Sequence, residues 1–186
     1  MGDTFVLNGR EVPFEQDESV LDAARRAGVE IPTLCFLKGA TATGACRVCL
    51  VEVAGGRSLV AACSTPVTKG MQVITNSERV HNARKMNVEL LMASGKHDCM
   101  VCEANGDCRL QDLAYAYGIK EPRFTPRPKE DMYPVEDVNP FIVRDFSRCV
   151  LCGRCIQACN EVVVNRAISY GYRGSANKVV TGGDMP

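Results

Sequence analysis

The sequence has no tryptophan, only two histidines among its 186 residues and no excess of either charge. Its 22 lysines and arginines balance 22 aspartates and glutamates, so no overall field attracts nucleic acid or an anionic membrane. No apolar run reaches the roughly 20 residues that a membrane-spanning helix needs. The N-terminus lacks the basic and apolar regions of a secretion signal, and Arg25-Arg26 lies inside a helical pattern. We therefore expect a cytoplasmic protein with no membrane span and no nucleic-acid partner.

The sequence also lacks the motifs that mark nucleotide sites and nucleophilic catalysis. It contains no P-loop, no Rossmann glycine fingerprint and no visible pairing of a nucleophile with a base. We expect no catalytic residue and no substrate or nucleotide site within these residues.

What the sequence does contain is eleven cysteines. An odd number in a chain without a secretion signal argues against a disulfide framework. The cysteines fall into three groups with none left over, whereas buried structural cysteines would be scattered singly. We interpret the groups as metal-ligand sets. They are Cys35, Cys46, Cys49 and Cys63; then Cys99, Cys102 and Cys108; and finally Cys149, Cys152, Cys155 and Cys159.

The residues before the second set predict strands, a short helix and a longer helix. Two strand-like runs around Asn8-Gly9 predict a hairpin, and Ser19 predicts the N-cap of a helix that stops at Gly28. Further strand-like runs follow, and this order predicts a small β-grasp domain. Residues 77–94 then predict a helix whose apolar stripe packs against that domain. The stripe consists of Val80, Ala83, Met86, Leu90 and Ala93.

The second half of the chain has a more irregular pattern. A helix ending at Gly118 is predicted after the second cysteine set, with Leu110, Leu113, Ala114 and Tyr117 on one side. The next segment, up to residue 147, contains five of the nine prolines and predicts an extended connector. The runs AISYGYRG and KVVTGG predict a final hairpin.

The first cysteine set fits a [2Fe–2S] cluster. Ten, two and thirteen residues separate its cysteines, and the loop between the first two is rich in glycine and small residues. Such a loop lets backbone amides approach the sulfurs, and N–H to sulfur hydrogen bonds help to set the reduction potential. Zinc is the alternative, because Cys-x2-Cys with two outlying cysteines can also hold zinc.

The second set has only three cysteines, which leaves one iron of a [4Fe–4S] cluster without a thiolate. His97 stands two residues before Cys99, and a neutral imidazole is a natural substitute. Exchanging thiolate for imidazole removes a negative charge and should raise the potential, as it does at Rieske centres. The other histidine, His81, is interpreted as a surface or packing residue of the preceding helix.

The third set begins a bacterial ferredoxin run, Cys-x2-Cys-x2-Cys-x3-Cys. Cys149, Cys152 and Cys155 have the spacing to bind three corners of another [4Fe–4S] cluster. The fourth cysteine of such a run usually binds a neighbouring cluster, yet no second run precedes Pro186. Cys159 therefore binds a cluster completed by residues beyond 186 or by a partner chain, or it closes its own cluster after local unwinding of the helix. We favour residues beyond 186.

The order of these segments resembles the N-terminal iron–sulfur module of a known family. Its members include complex I large iron–sulfur subunits, iron-only hydrogenases and alpha subunits of NAD-linked formate dehydrogenases. The resemblance covers essentially the whole chain and depends on CxxCxxxGxCxLQ and on NPFIVRDFSRCVLCGRC. The segment CMVCEANGDCRLQDLAYAYGI looks most like formate dehydrogenase. One departure is the family histidine four residues before its first cysteine, where this sequence has Gly95.

The resemblance implies an electron-transfer part of a multisubunit oxidoreductase, with formate dehydrogenase as the first expectation. It implies a flavin/NAD(H)-binding diaphorase subunit and a catalytic subunit or domain as partners. Modules of an iron-only hydrogenase, a NiFe-hydrogenase diaphorase or a complex I-like enzyme are alternatives, and a zinc-binding interaction module is the non-redox alternative.

The implied cofactors are one [2Fe–2S] cluster and two [4Fe–4S] clusters, with a third if the chain continues or a partner completes it. The expected fold class is α+β, in four segments. These are a [2Fe–2S] β-grasp ferredoxin domain at 1–76, a helical His/Cys3 domain at 77–120, a proline-rich connector at 121–147 and half of a bacterial-type ferredoxin domain at 148–186.

Overall fold

The computed structural model describes residues 2–128 and 131–182 of the chain. It divides into two units, one of residues 1–36 and 42–88 and the other of residues 37–41 and 89–186. Both units contain helices and strands, which confirms the expected mixture of the two. The chain end at Pro186, where a second cysteine run is expected to follow, lies outside the described residues.

A five-stranded sheet forms the base of the first unit. Its order is β2-β1-β5-β3-β4, with β1 and β5 parallel and the other neighbours antiparallel. The predicted turn at Asn8-Gly9 joins the first two strands, and both residues have the positive φ that a tight hairpin turn requires. The strands are β1 (Thr4–Leu7), β2 (Arg10–Pro13), β3 (Leu50–Val53), β4 (Val60–Ala61) and β5 (Gln72–Ile74).

Helix α1 (Val20–Arg26) covers this sheet and completes the hydrophobic core. Ser19 caps it as predicted, because its side-chain oxygen accepts a hydrogen bond from the Asp22 N–H at 3.1 Å. The apolar residues of the helix are fully buried and pack with apolar residues of β1, β3 and β5. Two of the cysteines, Cys49 and Cys63, belong to this same core, so the first cysteine set is anchored by tertiary packing.

Helix α2 (Glu78–Ala93) forms where residues 77–94 predict it, with Ser77 accepting a hydrogen bond from the Val80 N–H. The predicted apolar stripe is wrong in part. Met86 and Leu90 are each 46% exposed, whereas Arg84 is buried. Arg84 Nε donates to the Leu50 carbonyl at 2.8 Å, which gives one donor of this buried guanidinium a partner. Val80 and Ala93 of the predicted stripe are buried, together with Arg84 and Val88.

In the second unit, helix α3 (Arg109–Ala116) buries Leu110, Leu113 and Ala114, as predicted. Gly118 has a φ of 62° and ends the helix, with its N–H bonded to the Tyr115 carbonyl. Glu89, near the end of α2, is buried and paired with Arg123 at 2.6 Å.

The proline-rich connector contains a hairpin that the sequence pattern did not indicate. Strands β6 (Glu136–Asn139) and β7 (Ile142–Arg144) pair antiparallel around a turn at Pro140-Phe141. A proline has no N–H to give to a strand ladder, but in the turn it removes no bond. Prolines in this segment therefore do not exclude strands on either side of the turn.

The chain then forms a short helix and the predicted terminal hairpin. Helix α4 (Arg154–Gln157) runs directly into a π-helical stretch, Ala158–Val162. Strands β8 (Ile168–Gly171) and β9 (Lys178–Thr181) pair antiparallel in register, as predicted. None of the helices in residues 2–128 and 131–182 is long and apolar enough to cross a membrane.

Candidate metal centres

The first cysteine set lies where loops leave the core of the first unit. Cys35 follows the loop after α1, while Cys46 and Cys49 lie in the turns that lead into β3. Cys63 comes two residues after β4. Cys35, Cys49 and Cys63 are no more than 4% exposed. These positions bring together cysteines from separate loops of the chain.

The four thiols interact as two hydrogen-bonded pairs. The bond from the Cys46 thiol lowers the pKa of Cys35 to about 5, and the bond from the Cys63 thiol lowers the pKa of Cys49 to about 6. The same bonds, together with burial, raise the pKa values of Cys46 and Cys63. The Cys35 charge also raises the pKa values of Cys49 and Cys63, so the two pairs lie near each other.

Backbone amides of the surrounding loop favour negative charge on these sulfurs. The amides of Cys46 and Ala45 help to lower the pKa of the Cys35 thiol, to which the Thr43 hydroxyl donates at 4.0 Å. The Gly44 amide acts in the same direction on the pKa of Cys63. Hydrogen bonds of this kind stabilise negative charge on sulfur and are typical of iron–sulfur sites.

Gly44 has the left-handed backbone conformation that glycine adopts most easily. Its φ is 61°, and a Cβ on Gly44 would lie 2.8 Å from the Ser64 hydroxyl oxygen. A side chain at this position would therefore strain the backbone and require the Ser64 side chain to move.

The second set is brought together by a turn and the start of α3. Cys99 begins a 3-10 turn (Cys99–Val101), and Cys108 immediately precedes α3. Burial raises the pKa of the Cys99 thiol, and charges on Cys108 and Cys102 raise it further. The three thiols therefore share one region of the structure.

Gln111 stabilises the loop between Cys102 and Cys108 through hydrogen bonds. Its buried amide accepts from the Gly106 N–H at 2.8 Å and donates to the Asn105 side chain at 2.7 Å. The motif CxxCxxxGxCxLQ ends in this glutamine, but the motif alone does not indicate what the glutamine does. The structure shows that it fixes the loop between two of the cysteines.

His97 has the features of a metal ligand whose ring is held in position by the protein before a metal binds. Its Nε2 is buried and has no hydrogen-bond partner in the described part of the chain, while the ring also bonds to the Leu91 backbone. Burial lowers the pKa of His97, which favours the neutral imidazole that metal binding requires.

Gly95, at the position where the family has its histidine, lies against the backbone of Ser147. A Cβ on Gly95 would collide with the Ser147 carbonyl oxygen and would lie 3.3 Å from His97 Nε2. The Lys96 N–H also donates to that carbonyl at 2.7 Å. There is consequently no room for a side chain at residue 95, and the imidazole of His97 occupies the adjacent space.

Arg148 is a residue of this region that the sequence did not reveal. Its Nε donates to Asp145 at 3.0 Å. The Cys102 thiol, and after it the Asp145 carboxylate, raise the pKa of Arg148. No local pattern links Cys102 with a residue so much later in the sequence, so only the folded chain brings them together.

The third set is held mainly by local backbone geometry. Leu151 and Gly153 have positive φ values of 53° and 75°, and these turns direct the chain around Cys152 into α4. Burial raises the pKa of Cys149, with added effects from Cys152 and Cys155. The three cysteines predicted to bind one cluster therefore lie together.

Cys159 is close to the same group. Its charge contributes to the raised pKa of Cys155, after burial and Cys152. Its sulfur accepts a hydrogen bond from the Ala167 N–H at 3.3 Å. It also lies in the π-helical stretch, where the helix departs from α geometry. That departure is the kind of unwinding that closing its own cluster would need.

The donor chemistry of the three sets fits iron–sulfur clusters. Thiolates grouped in threes and fours, with N–H groups directed at sulfur, are the ligands that such clusters use. Within residues 2–128 and 131–182, no three cysteine, histidine or carboxylate side chains lie close enough to hold a single metal ion.

Comparison with known proteins agrees with this chemistry. Residues 4–78 match a 2Fe-2S iron–sulfur cluster binding domain, and residues 84–123 match the NADH-ubiquinone oxidoreductase-G iron–sulfur binding region. A crystal structure of an NAD+-reducing [NiFe]-hydrogenase in the H2-reduced state is similar with a TM-score of 0.88 and 36% identity. The match covers 97% of this chain and 75% of that one. The chain belongs to the family of iron–sulfur modules shared by such hydrogenases and complex I.

Two curated relatives extend the family relationship. The module is 39% identical to NADP-reducing hydrogenase subunit HndD of Solidesulfovibrio fructosivorans, over 92% of this chain and 30% of that protein. It is 35% identical to the mitochondrial NADH-ubiquinone oxidoreductase 78 kDa subunit of Candida albicans, over 95% of this chain and 24% of that protein. The module thus spans less than a third of the length of these two relatives.

Proposed function

We propose that this chain carries electrons through three or more iron–sulfur clusters in a multisubunit cytoplasmic oxidoreductase. The proposal is supported by the three cysteine groups, in the order typical of the family, and by the matches to a 2Fe-2S binding domain and to the oxidoreductase-G iron–sulfur region. Electrons would pass between a flavin/NAD(H)-binding diaphorase subunit and a catalytic centre on another subunit or domain. The clusters supply the redox chemistry, and this chain sets their spacing, burial and hydrogen bonds.

Each cluster has a defined set of protein ligands in this proposal. Cys35, Cys46, Cys49 and Cys63 hold a [2Fe–2S] cluster. The [4Fe–4S] clusters are held by His97 with Cys99, Cys102 and Cys108, and by Cys149, Cys152 and Cys155. Cys159 binds a further cluster, with closure of its own cluster as the alternative.

The domain division follows from these ligand sets. We propose a β-grasp ferredoxin domain at 1–76, supported by a sheet in which β1 and β5 are parallel and α1 covers the core. The His/Cys3 domain follows at 77–120, the connector at 121–147 and the ferredoxin-type segment at 148–186.

Among possible enzymes, we favour an NAD(P)-linked hydrogenase or complex I-like enzyme over formate dehydrogenase. The relatives described above are named as hydrogenase and NADH-ubiquinone oxidoreductase subunits, and the matched structure is an NAD+-reducing hydrogenase. Formate dehydrogenase, the first expectation from the sequence, gains no support from them.

Metal analysis and spectroscopy of the full chain, purified without oxygen, test the proposal. We expect about ten irons per chain, two for a [2Fe–2S] cluster and four for each [4Fe–4S] cluster, with brown colour and EPR signals on reduction. Cys49→Ser should remove only the [2Fe–2S] signal, because its sulfur belongs to the first set alone. A colourless protein with stoichiometric zinc would show instead the zinc-binding interaction module.

A further inference from the structure

Helix α2 holds the segment around one ligand of the first set at two points. Asn87 Nδ2 donates to the Arg47 carbonyl at 2.9 Å, and Arg84 Nε donates to the Leu50 carbonyl at 2.8 Å. Residues three apart in a helix lie on the same face, so both donors come from one face of α2. The two carbonyls lie on either side of Cys49 in the sequence. The turn that leads into Cys49 is therefore fixed by side chains of one helix.

Arg47 needs such a partner because its backbone conformation is strained. Its φ is 56°, in the left-handed region that residues with a side chain rarely adopt. A strained conformation of this kind persists only where the surrounding structure holds it. The bond from Asn87 acts on the carbonyl of this same residue, and it therefore favours the strained turn over relaxed alternatives.

The peptide unit that Asn87 holds also carries an N–H next to the first set. All peptide bonds in the described part of the chain are trans, so the C=O of Arg47 and the N–H of Val48 point in opposite directions. Fixing the carbonyl towards α2 thus directs the Val48 N–H away from the helix. The Cys35 thiol and burial raise the pKa of Cys46, whereas the Val48 amide lowers it, in agreement with that direction.

We propose that Asn87 is a positioning residue for the first cluster, because it holds the Arg47 carbonyl and thereby directs the Val48 N–H at ligand sulfur. The inference rests on the proposed function, since it assumes a [2Fe–2S] cluster on the first cysteine set. Reduction adds one negative charge to the cluster, and an N–H group directed at sulfur stabilises that charge. Asn87 should therefore raise the reduction potential of the first cluster.

The test is an EPR-monitored redox titration of the full chain, with the [4Fe–4S] clusters as internal references. Asn87→Leu keeps the approximate size of the side chain and removes its donor. We expect the ratio of reduced to oxidised [2Fe–2S] cluster at the wild-type midpoint to fall about threefold, which is about 28 mV for one electron. The [4Fe–4S] potentials should stay unchanged. Asn87→Gln keeps an amide donor and should restore part of the wild-type value.

Asn82→Leu is the matched control, because it makes the same change at an exposed position of the same helix. It should leave every potential unchanged. An equal fall in Asn82→Leu and Asn87→Leu would mean that the substitution acts through the helix as a whole, and it would overturn the role of Asn87.

The strained turn provides a second test, which a merely structural role of Asn87 would not pass. Glycine adopts a positive φ readily, so Arg47→Gly makes the turn less dependent on an outside partner. In the Arg47→Gly background, Asn87→Leu should therefore lower the potential by less than it does in the wild-type background. Each change is measured within one background, which removes the effect of the lost Arg47 charge. Equal changes in the two backgrounds would overturn the positioning role.

The outcomes separate this inference from the proposed function. Wild-type protein without a [2Fe–2S] signal would refute the function and this inference together. A normal wild-type signal with an unchanged potential in Asn87→Leu would refute only the role of Asn87. If Asn87→Leu holds no [2Fe–2S] cluster, the Arg47→Gly background decides: recovery of the cluster supports the role, and continued loss overturns it.

Discussion

The first and third cysteine sets are built in different ways. In the first set, three cysteines are at most 4% exposed and two belong to the hydrophobic core. In the third set, every cysteine is at least partly exposed, and Cys155 lies at the surface. Val162, Val163 and Val164, next to that set, are 57%, 68% and 63% exposed.

This difference shows two ways of fixing sulfur ligands in space. The first site depends on tertiary packing, because its ligands come from distant parts of the sequence and meet over a shared core. The third site depends on local turns, because its ligands follow one another closely in the sequence. Damage to the core should therefore affect the first site strongly and the third site weakly.

The largest effect that we expect comes from removing a ligand of the second set. His97→Ala should abolish or strongly change the EPR signal of one [4Fe–4S] cluster, because one iron loses its protein ligand. The first and third clusters should keep their signals. His81→Ala is the control, since His81 is exposed on α2. A signal altered by the control and unchanged in His97→Ala would show that the assignment is wrong.

The next largest effect tests the dependence of the first site on the core. Leu21 is fully buried in α1, and its N–H donates to the Ala62 carbonyl next to Cys63 at 3.0 Å. Leu21→Ala should lower the free energy of unfolding by about 3 kcal/mol, from lost burial and the cavity that remains. Chemical denaturation followed through the [2Fe–2S] absorption measures it.

Val163→Ala is the matched control for that experiment, because Val163 is 68% exposed beside the third set. Its change should stay within about 0.5 kcal/mol. Similar losses in both variants would mean that the two sites do not differ as described.

A smaller effect is expected from a bond that supports the turns of the third site. Tyr170 Oη donates to the Leu151 carbonyl at 3.1 Å, beside two residues with positive φ. Tyr170→Phe removes this bond and should cost about 1 kcal/mol. The midpoint of thermal loss of the third cluster signal should fall, while that of the first cluster stays unchanged. Equal falls in both midpoints would contradict a local role.

The smallest effect concerns an ion pair at the surface of the first unit. The hydrogen bond from Arg26 lowers the pKa of Glu18, and the two groups lie 2.7 Å apart. Glu18→Gln should cost only about 0.5 kcal/mol, because the Arg26 side chain is 41% exposed and solvent screens the pair.

The contribution of that ion pair to the free energy of unfolding changes with pH in one direction. A lowered folded pKa stabilises the protein above the ordinary glutamate value of about 4.3, and this stabilisation is lost as pH falls through the folded pKa. The stability difference between wild type and Glu18→Gln should thus shrink below about pH 4. A difference that is independent of pH would exclude the ion pair as its cause.

Much of the local structure could be predicted from the sequence. The hairpin at Asn8-Gly9, the Ser19 cap and the helix end at Gly118 all lie where the patterns indicate them. Each depends on residues within a few positions of one another. The grouping of the cysteines into three sets was predictable for the same reason, since spacing carries the signal.

Other structural features could not be predicted from the sequence pattern. The strands beside Pro140 lie where the prolines predict an extended connector, and Arg84 replaces Met86 in the buried stripe. Hydrophobic periodicity places apolar side chains in the core and charged side chains in solvent. A buried carbonyl that accepts a hydrogen bond can nevertheless allow a charged side chain to be buried.

By itself the sequence determined which residues could bind metal and where several turns and caps lie, because ligand spacing and turn chemistry act over short distances. Only the tertiary structure decided that Cys35 lies beside Cys46, and that the Lys96 N–H donates to the Ser147 carbonyl. Contacts between distant residues depend on how the core closes the loops between them. The free energy of that closure comes from the whole fold and cannot be assigned to any short segment.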